Sequence, residues 1–290
     1  KRAIEAYVGG LEAQCYLSAA INPSHYREGW HATATLGTFG AAAAAAKTLD
    51  LGPEAARNAL SIAASRAAGL KSNFGTMTKP LHAGTAARAG VTAARLASGG
   101  FTASPDAVDG DGGFLELYAG EDPVTLSELP ALDRPTALEA HGINVKKYPC
   151  CYYTNTSIHA AERLADEHDV DPEDVESIHV VTSPGPADAL HYPNPETGLE
   201  GKFSLEYTVA SAVAREHVGV EAFEDGAVAD PDVQRVRERV EWEIDDSLEY
   251  NDTTVEMRME TGDGVYTRVQ DVPPGDPSNP LSDAELEAKF

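Results

Sequence analysis

Residues 32–98 hold three successive runs rich in alanine, glycine, serine and threonine, with no strand-like alternation between them. The first, A-T-A-T-L-G-T-F-G-A-A-A-A-A-A-K-T-L from Ala32, reads as a helix of small residues that can approach its neighbours closely. Pro53 opens a second over Pro53–Ala68, with the proline near the first turn, where its missing N–H is harmless. A third spans Leu81–Ser98 and ends at Gly99-Gly100. Ahead of them, Ile4, Tyr7, Val8, Leu11, Cys15 and Leu17 recur near a helical period, predicting an amphipathic helix over residues 3–20 weakened by Gly9-Gly10. Helix following helix in this way predicts an all-helical domain.

The second half has a different rhythm. Helices are predicted over residues 152–168, Ser204–Glu216 and Pro231–Arg239. Val175–Thr182 alternates like a strand, and Val240–Ile244, Thr253–Met259 and Val265–Val269 alternate as half-buried antiparallel strands do. Between the halves, Phe101–Pro135 is loop-rich, with a short helical patch at Phe114–Tyr118. This half is therefore α+β.

Charge divides the chain at the same place. The formal net charge is -25, from 47 acids against 22 bases in 290 residues. Residues 1–140 hold 14 acids and 11 bases, and residues 141–290 hold 33 and 11. Such an acid load repels nucleic acid and anionic lipid, which excludes both as partners. With lysine scarce, the excess also suggests a salt-adapted, halophilic host. No apolar run of about 18 residues occurs and no signal peptide is evident, so the expectation is a cytoplasmic protein with no membrane span. Cys15, Cys150 and Cys151 form no C-x-x-C pair and fit reduced thiols.

Against this acidity, residues 55–105 hold six bases (Arg57, Arg66, Lys71, Lys79, Arg88 and Arg95) and no acid. Within them lies S-N-F-G-T-M-T-K-P-L-H-A-G, from Ser72 to Gly84, a polar loop leading into a helix N-terminus. Free N–H groups and the helix dipole favour an anion there. The glycine spacings of phosphate loops are absent, so a carboxylate is the better ligand. His25, His31 and His82 lack the spacing of a zinc site, and no G-x-S-x-G nucleophile appears. What remains is acid–base chemistry. Moving a proton beside a carboxylate calls for cations on the carboxylate and a neutral base nearby, which lysines and histidines in tight polar loops supply.

H-Y-R-E-G-W-H-A-T-A-T-L-G-T-F-G-A-A-A-A-A-A-K, then G-T-M-T-K-P-L-H-A-G-T-A-A-R-A-G, then K-K-Y-P-C-C-Y-Y-T resemble the MmgE/PrpD family in order and along nearly the whole chain. The resemblance implies a mainly α helical domain plus a smaller α+β lid domain, with the active site in the cleft between them, and a homodimer. Boundaries would fall at 1–135 for the helical domain and 136–272 for the lid, with 273–290 returning to the helical domain. The chain would be a fragment lacking the family's N-terminal helices and extreme C-terminus.

Carried over motif by motif, the resemblance implies catalytic roles for His31, Lys79, Lys146 and Tyr207. It implies substrate contacts from Thr76, Thr78, His82, Cys151 and Asn155, with no metal and no organic cofactor. Asn155 stands where many members have a histidine. The activity implied is a metal-independent hydro-lyase (a lyase) dehydrating a tricarboxylate such as 2-methylcitrate in propionate catabolism. Decarboxylation of cis-aconitate and isomerisation or epimerisation of a polycarboxylate are alternatives on the same fold. A non-catalytic carboxylate-binding protein is the alternative from another class.

Overall fold

A computed structural model of the chain describes residues 1–120, 126, 129 and 136–289. The domain boundary expected at 135/136, and the end of the loop-rich stretch expected over 101–135 apart from residues 126 and 129, fall outside the described residues. The chain divides into two compact units: Lys1–Asn73 with Met77–Gly142, and Phe74–Thr76 with Ile143–Phe290.

The first unit is helical. α1 (Arg2–Ile21), α2 (Ser24–Arg27), α3 (Ala32–Thr48), α4 (Pro53–Ala64) and α5 (Thr78–Ser98) are followed by two short helices, α6 (Phe114–Tyr118) and α7 (Ala137–His141). α3 packs against α1, α4 and α5. The glycines and alanines set the spacing: a Cβ on Gly10 would lie 2.5 Å from the Gly40 carbonyl oxygen, and one on Gly90 would lie 2.5 Å from both Ala41 Cβ and Ala42 N. Gly10 thus serves the contact of α1 with α3, a stronger reason for its presence than the weakening its low helix propensity suggests. Leu17, Ile21, Leu36, Phe39, Phe114 and Leu115 fill the core around these crossings. α5 begins at Thr78, three residues ahead of the predicted Leu81, because Pro80 then sits in the first turn and no intrahelical N–H is lost.

The second unit is built on α8 (Asn155–His168), α9 (Gly198–Gly201), α10 (Leu205–Ala214), α11 (Asp225–Val228), α12 (Pro231–Arg237) and α13 (Asp283–Lys289). Its strands are β1 (Val175–Thr182), β2 (Val240–Ile244), β3 (Val255–Thr261) and β4 (Gly264–Gln270). They form one sheet in the order β2-β1-β3-β4. β3 pairs antiparallel with β1 and β4, as the alternation predicted, but β2 runs parallel to β1, with Ile178 opposite Val240. Alternation reports one buried face and is silent on strand direction. The parallel pair is permitted by the long connection carrying α9 to α12, since a parallel neighbour needs a crossover. Val175, Ile178, Val180, Met257 and Met259 join Ile158 and Leu164 of α8 and Leu205 and Val209 of α10 in a single core.

Candidate active site

In the first unit, the segment after α2 is clamped to the segment before α5. Trp30 and Leu70 form an isolated bridge. His31 N–H donates to the Gly69 carbonyl at 3.0 Å and Lys71 N–H to the Gly29 carbonyl at 2.8 Å. Gly69 has φ of +149°, a conformation L residues rarely adopt, and a Cβ there would lie 2.5 Å from Ala34 Cβ. His31 caps α3 at its N-terminus, its carbonyl accepting from the N–H groups of Ala34 and Thr35.

Held this way, His31 meets His82. Their Nδ1 atoms are 2.9 Å apart, with ring centroids 5.1 Å apart and planes inclined by 47°. Lys79 stands one turn before His82 on α5, so the two share a helix face. Burial, then the Lys79 cation, then His82 lower the His31 pKa to about 4. Burial and then Lys79 lower that of His82. Both rings are thereby neutral at physiological pH, beside a cation and close to the N-terminus of a 21-residue helix. Thr78 is the first residue of that helix. His31, Lys79, His82 and Thr78 therefore belong to one region of one unit.

His25 has another occupation. It is fully buried, with Nδ1 2.7 Å from the Tyr118 carbonyl and Nε2 2.7 Å from the Thr35 hydroxyl. A neutral ring donating to the carbonyl and accepting from the hydroxyl satisfies all four groups, a structural role. Lys71 is buried too, its ammonium 3.9 Å from the centre of the Tyr26 ring.

The remaining candidates belong to the second unit. Thr76 follows Phe74 and Gly75, which are tied there by the Tyr192 hydroxyl donating to the Phe74 carbonyl at 2.7 Å. Lys146 donates through Nζ to the Cys150 carbonyl at 2.8 Å, closing the Y-P-C-C turn, and Lys289 Nζ donates to the Lys146 carbonyl. Cys151 N–H donates to the Lys202 carbonyl at 2.9 Å. Burial pushes the Cys150 thiol up to about 12, which makes it inert as a nucleophile. Asn155 is fully buried at the start of α8. Its Nδ2 donates to the Cys151 carbonyl at 2.9 Å, and its Oδ1 has no hydrogen-bond partner among the described residues.

Tyr207 lies in the first turn of α10, completely buried, with its hydroxyl donating to the Ala222 carbonyl. Burial raises its pKa further. A phenol so committed inside a core is poorly disposed to deliver a proton.

Two features escaped the sequence reading. The His31–His82 pair joins residues 51 apart, which no local pattern relates; the i,i+3 relation of Lys79 to His82 was hidden because a helix starting at Leu81 leaves Lys79 off it. The second is a cluster in which the Tyr148 hydroxyl donates to Glu162 Oε2 at 2.5 Å, with His159 Nδ1 3.3 Å from that hydroxyl and Lys147 Nζ 3.5 Å from the carboxylate. Among the described residues, no group of three or more histidines, cysteines or acids is arranged to hold a metal ion, and no helix is long and apolar enough to cross a membrane.

The chain is 30% identical over 293 residues to a human protein named cis-aconitate decarboxylase, covering 98% of this chain and 60% of the human protein. A mouse protein of the same name is 30% identical over 272 residues, 90% of this chain and 54% of its own length. One from Aspergillus terreus is 32% identical over 167 residues, 56% of this chain and 34% of that protein. The chain thus spans little more than half the length of its mammalian relatives. Residues 1–127 match the MmgE/PrpD N-terminal domain and residues 148–290 the MmgE/PrpD C-terminal domain. Matched across both halves by the two domains of one family, the chain belongs to the MmgE/PrpD family.

Proposed function

We propose that this chain carries the acid–base machinery of a lyase acting on a tricarboxylate of the citrate or aconitate class. The observation that supports it most is the neutral His31–His82 pair beside the Lys79 cation at the start of α5. The stretch from 55 to 105 around it lacks acids. A proton moved next to a carboxylate leaves charge on a group that is already negative, so a cation must offset it and the base must itself be uncharged. In this reading Lys79 and the first-turn N–H groups of α5 receive a carboxylate, and His31 exchanges the proton. Thr78, the first residue of that helix, is a substrate contact. Tyr207 is left out of the proton transfers, because its hydroxyl is already engaged.

Two reactions suit that chemistry. In dehydration of a substrate such as 2-methylcitrate, the base takes a C–H proton, the pair of electrons forms the double bond, and hydroxide leaves as water after protonation. In decarboxylation of cis-aconitate, the C–CO2 bond breaks, its electrons shift through the double bond, and the far carbon takes up a proton. The name shared by relatives at 30–32% identity favours the second. A homodimeric state and a cytoplasmic location accompany the reading.

The encoded protein should be incubated with cis-aconitate and with 2-methylcitrate while CO2 release and the unsaturated product are followed. Release of CO2 from cis-aconitate that falls at least about a hundredfold in Lys79→Ala is expected. Tricarboxylate binding by calorimetry without turnover of either compound would establish a carboxylate-binding protein instead.

A further inference from the structure

We infer that His82 is a positioning residue for His31: the two Nδ1 atoms share a single proton, which couples the tautomers of the rings so that their Nε2 atoms together present one N–H and one bare nitrogen. Its catalytic consequence rests on the lyase reading above; the pairing itself does not.

The geometry carries the pairing. At 2.9 Å, two imidazole nitrogens are at hydrogen-bond distance, and one of them must bear the hydrogen while the other accepts it, since two N–H groups or two lone pairs would repel. A neutral imidazole has one hydrogen on one nitrogen. If His31 holds the shared proton, its Nε2 is bare and the Nε2 of His82 is an N–H; if His82 holds it, the assignments reverse. Both residues are anchored through their backbones. His31 is anchored by the Gly69 carbonyl and the α3 N-terminus, and His82 lies one turn into α5. Gly69 lies beside the pair: a Cβ there would strike Ala34 Cβ at 2.5 Å and stand in ordinary contact with His82 Nδ1 at 3.5 Å. Burial and Lys79 disfavour a charged ring in either position, which keeps the pair in its two neutral states.

The pair then works in both directions without a lasting change of charge. A proton arriving at a bare His31 Nε2 lets the Nδ1 proton cross to His82, and His82, which is half-buried, releases its Nε2 proton to water. One proton enters and one leaves, and His31 is left with an Nε2–H that it can give back. A single histidine so coupled serves as base in one half of a lyase reaction and as acid in the other.

The test is nitrogen NMR on the encoded protein with labelled histidines, together with the variants His82→Ala and His82→Asn. Unmodified protein should show a coupling between the two Nδ1 nitrogens across the hydrogen bond. In His82→Ala the His31 nitrogens should move toward tautomer-averaged shifts, and its titration midpoint should rise. The value of kcat should fall by about a hundredfold with KM changed less than about threefold. His82→Asn, whose amide meets His31 Nδ1 from nearly the same place, should recover most of that loss. Absence of the coupling in the unmodified protein, or equal kcat in the two variants, would overturn the proposal. A coupling observed in a protein that turns over no tricarboxylate would uphold the pairing and refute the lyase reading.

Discussion

Protonating His31 should cost the fold stability in a defined pH window. Its side chain is 6% exposed, and burial, Lys79 and His82 bring its pKa from 6.5 to about 4. In the unfolded chain the same group titrates near its ordinary value of about 6.5. As pH falls, the unfolded state therefore takes up the proton first. The contribution of a neutral His31 is complete above about pH 6.5, declines through the window down to about 4, and is gone below it. Between pH 7 and pH 5 the loss amounts to about 2 kcal/mol. Stopping at pH 5 avoids carboxylates such as Glu167, Asp245 and Glu260, whose lowered pKa values make their contributions disappear at more acid pH. Urea unfolding of the encoded protein at pH 7, 6 and 5 measures this directly when set against His31→Gln, a non-titrating variant of similar size. The parent should lose about 2 kcal/mol more than the variant over that range. Equal losses would mean that His31 is not held neutral, and the electrostatic account of the site would fall with it.

Three other outcomes are expected. Lys79→Ala should lower turnover at least about a hundredfold while raising the His31 pKa, both readable on one preparation; unchanged turnover would remove Lys79 from the reaction. The neighbouring glycines of α1 should respond oppositely to alanine. Gly9→Ala meets nothing within 4 Å and should gain up to about 1 kcal/mol of helix propensity. Gly10→Ala, with its Cβ 2.5 Å from the Gly40 carbonyl, should lose about 1–3 kcal/mol. Thermal unfolding distinguishes them, and a stabilised Gly10→Ala would show that α1 and α3 tolerate separation. Finally, screening of a net charge of -25 should raise the unfolding temperature steadily from low to molar salt; a protein indifferent to salt would contradict adaptation to a saline host.

Much of this was legible in the residue pattern, and for identifiable reasons. Val175–Thr182 is a strand with the predicted bounds because its alternation matches a sheet with one buried face. The alanine-rich runs became α3, α4 and α5 because small residues at helical spacing can bury a face only by close approach to another helix. The acid-free stretch around Lys79 likewise singled out the start of α5 from composition alone, since a local absence of acid stands out most in an acidic chain.

The direction of β2, the use of each histidine and the partner of Tyr207 were not legible. Each depends on what another segment brings within about 3 Å, and local pattern carries no such information. His25 and His31 are six positions apart in one polar segment, and apart from the family resemblance nothing in the residue pattern tells them apart. The fold buries the first between Tyr118 and Thr35 and sets the second against His82, 51 residues away. By itself the sequence determined that this chain has a helical half and an α+β half. Only tertiary structure decided which histidine is set against another, because desolvation and ring-to-ring contact arise from distance in space and not from spacing along the chain.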